Sequence, residues 1–410
     1  MANRGIGIIE RSGIAQVLDL GAGRLGVPRP PRTDPNNGFP RLRTTGTHTD
    51  LVNPNYSRRL MPLYTTPLTP AGASEAANGT SGRMMQMITG YWVTQVVRTA
   101  AELDIAGHLS GGPTTAEEIA RAASLEPAVT LRFLRACAAV DLVTCEGEET
   151  FTATPLLETL RIDRPGSLRD LALWGGMKSH WEPWGCLTDA VRTGNGQTGP
   201  SLGADLFGYL AAHPQESERF TAAMAAMTEG VAERLADVLK LSGSETVVDV
   251  GGAAGAFVQT LMKRHSSLRG VVLDLPHLAE ASEESAARAG VSDRFEFVAG
   301  DFFHSVPQGD VYLLKYVLHD WDDESAVRIL RACRNALNPG GRVLVTELVI
   351  DPGAATGLPP LMDLNMLTLT DGGRERSLHD FEALFRRAGL TVTGVTHSAT
   401  LVSIVEGVRD

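Results

Sequence analysis

The sequence predicts an α/β protein in which a doubly wound, mostly parallel sheet follows an N-terminal all-α domain. Strand-like and helix-like segments alternate after residue 245, which is typical of parallel sheets built from β-α-β units. From Met84 to about residue 140, apolar residues instead recur at helical spacing. Because a chain of 410 residues is long enough for two or three domains, we expect the two patterns to mark separate domains.

Residues 1–83 precede both patterns and differ from them in composition. They contain ten Arg, no Lys and five acidic residues, and prolines at 28, 30 and 31 interrupt any helix or central strand. Few apolar residues recur at a fixed period, so we predict an irregular N-terminal extension. An arm that wraps a partner subunit is the alternative interpretation, because composition does not distinguish the two.

Residues 84–165 are predicted to form an all-α domain of the winged-helix type. A buried helix begins at Met84, Thr115 and Glu118 form a capping-box pattern ahead of a second helix, and a third helix precedes two short strands. Winged helices often bind DNA, but residues 84–160 carry four Arg and ten acidic residues, a net charge of about −6. We therefore expect a dimerisation or packing domain and no nucleic-acid partner.

Residues 166–240 are predicted to be mostly helical and to supply an apolar pocket. Aromatic and methionine residues are frequent there, and a second apolar segment lies near residue 365. Any single residue of this kind more often belongs to a core than to a ligand wall. Together they predict a pocket for a bulky planar molecule, lined by Trp174, Phe207, Phe220, Met224, Met227, Met362, Asn365 and Met366.

Residues 241–410 are predicted to form the doubly wound sheet. The predicted strands are 246–250, 270–275, 295–299, 311–317 and 342–350, and the predicted helices lie near 255–264, 277–289, 323–337 and 377–388. Two strand-like runs, 390–395 and 400–405, then follow without a helix between them. We expect this last pair to form an antiparallel hairpin at the sheet edge, which differs from the ending of a dinucleotide-dependent dehydrogenase.

The composition narrows the class of protein further. The formal net charge of −11 argues against a polyanionic partner. Cysteines at 137, 145, 186 and 333 form neither a CxxC pair nor a zinc-like cluster, so we expect reduced thiols in a cytoplasmic protein. No stretch of about 18 apolar residues occurs, and Glu10 and Arg11 interrupt the first apolar patch, so neither a membrane span nor a signal peptide is predicted.

Two glycine-rich loops compete for a cofactor-binding role. The first, GAGRLG at residues 21–26, fits the GxGxxG pattern, but the prolines that follow it prevent the helix that such a loop must open. The second, DVGGAAG at residues 249–255, follows an apolar strand and precedes an amphipathic helix. Because Val250 stands where a dinucleotide-binding loop has glycine, this loop favours adenosylmethionine, with a simple tight turn as the alternative.

The ends of the following strands carry further candidates for ligand binding. Asp274 ends the second strand, where a carboxylate can accept hydrogen bonds from both hydroxyls of a ribose. Asp301 and Phe302 follow the third strand and offer an acceptor and a ring to an adenine. Lys315 is one of four lysines in the chain and lies on an otherwise apolar strand, so an ordinary surface role is a weak explanation.

His319 is the candidate catalytic residue. It follows the same strand as Lys315, and an imidazole with an ordinary pKa of about 6.5 can accept a proton near neutral pH. Glu347, at the end of the next strand, and Glu375, in a glycine-rich loop, could each orient the imidazole. A metal site is the rival interpretation, but no second histidine lies three or four residues away, so no metal is predicted.

The winged-helix pattern is followed in order by DVGGAAG, VVLDLP, GDFF, LHDWDD, NPGGRVLVTE and DGGRER. Over residues 84–410 the chain thereby resembles the plant-type small-molecule O-methyltransferase family, including bacterial members that modify anthracyclines and other antibiotics. The resemblance implies a Rossmann-like methyltransferase sheet, a homodimer with intertwined N-terminal helices, and no metal. By motif, it implies that S-adenosylmethionine is bound by Gly251, Asp274, Asp301, Phe302 and Lys315, and that the general base His319 is flanked by Glu347 and Glu375.

The expected reaction is methyl transfer from S-adenosylmethionine to a phenolic or enolic hydroxyl of an aromatic natural product. Methylation of carbon in an aromatic keto acid, or a non-methylating step with the same cofactor on the same fold, is the first alternative. A ligand-sensing winged-helix regulator is the second alternative, and both the acidic charge of residues 84–160 and the presence of His319 disfavour it.

Overall fold

The computed structural model describes residues 79–164, 166–351, 353, 357–398 and 400–410. The first glycine loop and nearly all of the predicted N-terminal extension lie outside the described residues. Within them, a small helical domain is followed by connecting helices and then by a large sheet with helices on both faces, which confirms the predicted α/β fold class.

The N-terminal helical domain has the predicted winged-helix pattern. Its elements are α1 (Thr80–Ile88), α2 (Gly90–Glu102), α3 (Ile105–His108), β1 (Thr114–Thr115), α4 (Ala116–Ala123), α5 (Pro127–Ala139), β2 (Val143–Glu146) and β3 (Thr150–Ala153). The strands pair in the order β1-β3-β2, and the helices pack on them around Ile105, Leu134 and Phe151. Thr115 and Glu118 form the predicted capping box at the start of α4.

The prediction of a buried helix that begins at Met84 was wrong in two respects. The helical segment is divided at Thr89, whose hydroxyl donates to the Met85 carbonyl at 2.8 Å, and α2 begins at Gly90. Threonine and glycine are weak helix formers, which accounts for the break. The apolar face is also exposed rather than buried, because the described part of the chain does not cover it; more than half of each side chain is exposed at Met84, Met85, Met87, Ile88, Tyr91 and Trp92.

Helices connect this domain to the sheet, as predicted for residues 166–240. They are α6 (Arg169–Trp174), α7 (Lys178–Gly185), α8 (Leu187–Thr193), α9 (Thr198–Leu202), α10 (Leu206–Ala212) and α11 (Pro214–Val238). Trp174, Leu206, Leu210 and Ala223 form a small apolar core between α6, α10 and α11. No described helix combines the length and apolar character that a membrane span requires.

The large sheet alternates with helices along the chain. Its elements are β4 (Thr246–Val250), α12 (Ala256–Arg264), β5 (Arg269–Asp274), α13 (Ala279–Ala289), β6 (Phe295–Ala299), β7 (Gly309–Lys315), α14 (Asp323–Ala336), β8 (Leu337–Ile350), α15 (Pro359–Leu369), β9 (Arg376–Ser377), α16 (Leu378–Ala388), β10 (Leu390–His397) and β11 (Val402–Arg409). The strand order is β6-β5-β4-β7-β8-β11-β10, and β9 pairs with the end of β8. Strands β4 to β8 are parallel, whereas β11 is antiparallel to both β8 and β10, which confirms the predicted hairpin at the edge.

Apolar side chains cover both faces of the sheet. Val248 and Leu314 belong to the cluster under α14 and α16, while their neighbours Val247 and Leu313 belong to the cluster under α11 and α12. Strands buried on both faces have nearly continuous apolar sequences, which is why the sequence pattern located them. The sheet is therefore a rigid platform for groups at the ends of its strands.

Strand β7 ends at Lys315, two residues before its predicted end. Tyr316 has φ of 54°, in the left-handed region that residues other than glycine seldom adopt. Leu318–Asp320 then forms a single 3₁₀ turn, which places His319 at the carboxyl end of the sheet. The apolar sequence continues past Lys315, so its hydrophobicity contains no sign of this change in backbone direction.

Candidate active site

A cavity of about 990 Å³ opens at the carboxyl ends of β4, β5 and β7. The order of strands reverses there, since β5 lies on one side of β4 and β7 on the other, and ligands bind doubly wound sheets at such points. The wall includes His319 but neither Glu347 nor Glu375. The other predicted residues in the wall are Gly251, Asp274, Asp301, Phe302 and Lys315 on the sheet side and Trp174, Phe207, Phe220, Met224, Met227, Met362, Asn365 and Met366 on the helical side.

The glycine turn after β4 brings main chain close to the cavity. Gly251 has φ of 69°, and its N–H donates to the carbonyl of Leu273 at 2.9 Å. A Cβ at Gly252 would lie 2.6 Å from the carboxyl carbon of Asp249, so no side chain fits there. Ala253 also has a positive φ, of 47°, which is a strained conformation for alanine.

The carboxylate of Asp274 is fixed by main-chain donors. Its Oδ2 accepts from the Ala253 N–H and its Oδ1 from the Leu275 N–H, both at 2.7 Å. Burial raises the pKa of Asp274, and these two hydrogen bonds oppose the rise. Since each carboxylate oxygen has two lone pairs, Asp274 can accept two further hydrogen bonds from a ligand in the cavity.

Asp301 and Phe302 lie beside an aromatic cluster. Asp301 accepts from the Phe303 N–H at 2.8 Å, and the Phe302 ring contacts Trp321 edge-on with centroids 6.0 Å apart. Phe207, from α10, stacks on the ring of Trp321 with centroids 6.1 Å apart. The residue predicted for the helical pocket thus contacts the sheet side of the cavity as well.

The charge of Lys315 interacts with that of Asp249, a carboxylate for which the sequence predicted no separate role. Asp249 is 3% exposed and lies in the cavity wall beside the glycine turn. Burial raises the pKa of Asp249 to about 7 and lowers the pKa of Lys315 to about 8, while the attraction between the two opposite charges limits both shifts. A carboxylate in the apolar run of β4 was the available sequence signal for Asp249.

The imidazole of His319 is held on both edges and on one face. Its Nδ1 lies 2.9 Å from Oε1 of Glu375, which is 3% exposed, and its Nε2 lies 3.6 Å from Oδ1 of Asp320. The ring stacks on Tyr316 with centroids 5.2 Å apart. Because an ionised carboxylate only accepts hydrogen bonds, Nδ1 carries the proton and Nε2 is the ring nitrogen that a ligand can reach.

Nearby carboxylates set the basicity of His319. Burial alone would lower the pKa of His319, but Asp320, Glu375 and Glu347 outweigh this effect and raise the pKa to about 9. Burial in turn raises the pKa of Asp320 to about 6 and that of Glu347 to about 7. The site thus contains a base that is stronger than a free imidazole.

Glu347 holds the His319 turn rather than the His319 ring, which differs from the expectation that it orients the imidazole. Its Oε1 accepts from the N–H groups of Val317, Leu318 and His319 at 2.7 to 3.2 Å. These donors have no partner within their own short turn, so a carboxylate from the next strand satisfies them. Glu347 therefore acts on the imidazole through the backbone and through its charge.

Arg376, for which the sequence predicted no role, also binds this turn. Its guanidinium is fully buried and donates to the carbonyls of Leu318 and Trp321, each at 2.7 Å, and to Asp323. Arg376 and Asp320 both occur in motifs that signalled the family resemblance. The type and spacing of Arg376 do not reveal its contacts with a turn that is distant in sequence, and those of Asp320 do not reveal how the turn places it beside the imidazole.

No group of three or more metal-ligating side chains occurs among the described residues.

Comparisons with known proteins agree with this geometry. The chain matches an O-methyltransferase domain over residues 184–391 and an O-methyltransferase dimerisation domain over residues 85–161. Phenazine O-methyltransferase PhzM of Lysobacter antibioticus is 37% identical over 327 residues, which are 80% of this chain and 95% of that protein.

Solved structures give the same result. The crystal structure of LaPhzM is 37% identical and has a TM-score of 0.78 over 81% of this chain and all of its own chain. An O-methyltransferase from neocarzinostatin biosynthesis, NcsB1, was solved with S-adenosylmethionine and 2-hydroxy-5-methyl naphthoic acid. It is 36% identical, with a TM-score of 0.66 over 78% of this chain and 96% of its own. This chain therefore belongs to the O-methyltransferase family and is an S-adenosylmethionine-dependent O-methyltransferase with that family's dimerisation domain.

Proposed function

We propose that this enzyme methylates a phenolic or enolic hydroxyl of an aromatic natural product, with His319 as the general base. The observation that carries the proposal is the His319 imidazole, which lines the cavity while Glu375 binds its Nδ1. The lone pair on Nε2 then accepts the proton of the hydroxyl. A phenol with a pKa of about 10 is poorly ionised near neutral pH, so a base accelerates the attack by its oxygen.

The sheet side of the cavity fits S-adenosylmethionine. The absence of a side chain at Gly252 leaves a cradle beside Asp249, and Asp274 retains lone pairs for two ribose hydroxyls. We assign cofactor binding to the predicted set, Gly251, Asp274, Asp301, Phe302 and Lys315, and add Asp249 as the partner of Lys315. When bound, the cofactor supplies an electrophilic methyl group.

The residues of this chain supply alignment and proton transfer. His319 accepts the proton at Nε2, and Glu375 stabilises the imidazolium through Nδ1. Glu347 is a positioning residue, because it holds the backbone of the turn that carries the imidazole. Alignment of this kind removes about 7 to 11 kcal/mol of barrier in well-oriented reactions.

The helical side of the cavity supports an aromatic acceptor. Trp174 and Phe220 contact each other edge-on at 5.6 Å, and Met224, Met362 and Met366 complete an apolar wall. Aromatic and methionine side chains pack well against the faces of planar ligands. The relatives named above also act on or bind aromatic compounds by their names, a phenazine and a naphthoic acid.

Replacement of His319 by glutamine tests the proposal. We expect His319→Gln to lose methyl transfer by about 10² to 10⁴-fold, because glutamine cannot take up the hydroxyl proton. Transfer of labelled methyl from S-adenosylmethionine to a panel of phenols and hydroxyquinones, with mass spectrometry to place the label on oxygen, measures the loss.

Two controls make the result specific. His379→Gln, at an exposed histidine of α16, should keep full activity. Titration calorimetry with S-adenosylhomocysteine should give similar affinities for wild type and His319→Gln. Unchanged turnover in His319→Gln would show that alignment alone is sufficient and would refute the role of a base.

We further propose that the protein is a homodimer formed through α1 and α2. The matched dimerisation domain begins at residue 85 and includes the end of α1 and all of α2. Large side chains such as Met87, Tyr91 and Trp92 are more than half exposed in the single chain. A contiguous apolar face of this kind is typical of an interface between subunits.

A further inference from the structure

A side-chain amide in the helical wall of the cavity is held in one orientation. Trp184 Nε1 donates to Oδ1 of Asn365 at 2.8 Å, and His180 Nε2 lies 3.2 Å from the same oxygen. An indole N–H can only donate, so the atom that faces Trp184 is the amide oxygen and the NH₂ group points elsewhere. All three side chains line the cavity.

The NH₂ group of Asn365 has no strong acceptor among the described residues. Its nearest partner is the thioether of Met362, at 3.8 Å from Nδ2, and a thioether is a weak acceptor. A half-buried amide with unsatisfied N–H groups is costly in an apolar wall unless a ligand or water accepts from it. The surrounding wall is otherwise aromatic or aliphatic, with Trp174, Phe220 and Met366 as examples.

The charges around the cavity indicate which kind of hydrogen-bond acceptor on the ligand suits Asn365. Among the described wall residues, Lys315 is the only lysine or arginine, and its charge faces Asp249. Burial lowers the pKa of His180, so its imidazole is neutral at neutral pH and supplies no positive charge beside Asn365. A ligand carboxylate bound at Asn365 would therefore meet no cation among the hydrogen-bond partners of that amide, whereas a neutral carbonyl needs only an N–H donor.

We propose that Asn365 is a specificity-determining residue that donates a hydrogen bond to a neutral carbonyl oxygen of the methyl acceptor. The acceptor is then an aromatic hydroxyl compound that also bears a ketone-type carbonyl, at a position other than that of the hydroxyl that His319 deprotonates. This inference rests on the proposed function for its reaction. It does not depend on that function for the hydrogen bond itself.

Matched probes test the inference. The probes are three matched series of naphthols, each with the hydroxyl at several ring positions. The first bears an acetyl group, the second an ethyl group in its place, and the third a carboxyl group in its place. Wild type should prefer the ketone over both analogues of the same ring position. In Asn365→Leu the ratio of kcat/KM for ketone to kcat/KM for the ethyl compound should fall by about ten- to a hundredfold, since the hydrogen bond is lost only for the ketone.

Two further variants secure the interpretation. Asn365→Asp replaces the NH₂ group by a second acceptor and should also lose the preference for the ketone, even if leucine disturbs folding. Trp184→Phe removes the donor that fixes the amide and should lower the ketone-to-ethyl ratio less than Asn365→Leu does. Affinity for S-adenosylhomocysteine and the melting temperature report whether each variant is folded.

Binding measurements separate this inference from the proposed function. Titration calorimetry of each probe against the enzyme saturated with S-adenosylhomocysteine requires no methyl transfer. Tighter binding of the ketone that disappears in Asn365→Leu supports the inference even if no probe is methylated. Equal ratios in wild type and Asn365→Leu, in binding and in turnover, overturn it while leaving the role of His319 intact, and so does a wild-type preference for the naphthoic acids.

Discussion

The surroundings of His319, the proposed general base, determine its protonation state before the acceptor binds. Burial favours the neutral imidazole, but Asp320, Glu375 and Glu347 raise the pKa of His319 to about 9. The imidazole is therefore mostly protonated at neutral pH before the acceptor binds. Once neutral, it is a stronger base than a free histidine and approaches the pKa of a phenol, about 10, which favours proton transfer.

We predict that kcat/KM for the acceptor rises with pH up to about 9. The proposed base must be neutral, and since the pKa of His319 is raised, the neutral fraction grows about tenfold per pH unit below that value. Asp320→Asn removes the carboxylate near Nε2, so its ascending limb should lie at lower pH than that of wild type. Initial rates at saturating S-adenosylmethionine measure both profiles.

An exposed acid provides the control for this profile. The side chain of Asp293 is 75% exposed, and Asp293→Asn should therefore keep the wild-type limb. A rate that does not change between about pH 6 and about pH 9, or a limb that moves to higher pH in Asp320→Asn, would be incompatible with His319 as the base.

At the scale of single residues, the sequence identified His319 as the candidate base but did not reveal all of its contacts. His319 and Glu375 were predicted as neighbours because a loop carboxylate can orient an imidazole and because the family resemblance places both at the site, and the two side chains lie 2.9 Å apart. The contacts of Glu347 and Arg376 with the His319 turn were not predicted. They join side chains to main-chain groups of a distant segment, and such pairs leave no periodic pattern in a sequence.

At the scale of elements, the His319 turn is fixed from two strands. Glu347 at the end of β8 accepts from the N–H groups of the turn, and Arg376 in β9 donates to two of its carbonyls. The imidazole is therefore positioned by the sheet even though it lies on a loop.

We predict that Arg376→Lys lowers kcat by about tenfold or more and leaves the affinity for S-adenosylhomocysteine unchanged. An ammonium group cannot reach the Leu318 and Trp321 carbonyls and Asp323 together, so the turn loses part of its support. Stopped-time assays and calorimetry measure the two quantities. The melting temperature should also fall, because a buried carbonyl loses its donor.

The pH profile distinguishes positioning from a general loss of stability. If Arg376 positions the base, the ascending limb of Arg376→Lys moves, whereas mere destabilisation lowers the rate equally at every pH. Arg374→Lys is the matched control, since that side chain is 47% exposed and pairs with the same Asp323. Loss of kcat in Arg374→Lys to the same extent would assign the effect to Asp323 rather than to the turn.

Element boundaries were predicted well in the interior of the sheet and poorly at its functional edge. Strands β4, β5 and β6 matched within one residue because they are apolar runs with helices between them, whereas β8 begins at Leu337 instead of the predicted Arg342. The end of β7 did not match, because the left-handed Tyr316 depends on tertiary contacts around the turn and not on its own preference. The break at Thr89 divides α1 from α2 for a local reason, the sequence Thr-Gly, that the apolar periodicity concealed.

At the scale of the whole molecule, the exposed face of α1 and α2 predicts the state of assembly. We expect wild type to be dimeric, and Met87→Glu to weaken the dimer because a charge would then be buried in the interface. Light scattering coupled to size-exclusion chromatography over a range of concentrations measures the change.

An exposed apolar residue outside the matched dimerisation domain serves as the control. Val191 on α8 is 65% exposed, and Val191→Glu should keep the mass of wild type. A monomeric wild type, or a Met87→Glu variant with an unchanged dimer, would count against the assignment of this face to the interface.

The overall architecture could be predicted from the sequence because each of its parts has its own periodicity. Alternating strands and helices specified the sheet, and helical spacing with a terminal hairpin specified the N-terminal domain. The division at residues 83, 165 and 240 stays a prediction. The cavity between the helices and the sheet could not be predicted in shape, since it depends on how distant elements pack and not on any one of them.

The turn that carries His319 is anchored to β8 and β9, whereas the amide of Asn365 lies on α15 and is oriented from α7. The two supports are nevertheless joined, because Asp363 on α15 accepts from the N–H of Glu375, the proposed partner of His319, at 2.9 Å. Redesign of the acceptor pocket through α7 and α15 should therefore keep Asp363, since a shift of that side chain would also move the carboxylate beside the imidazole.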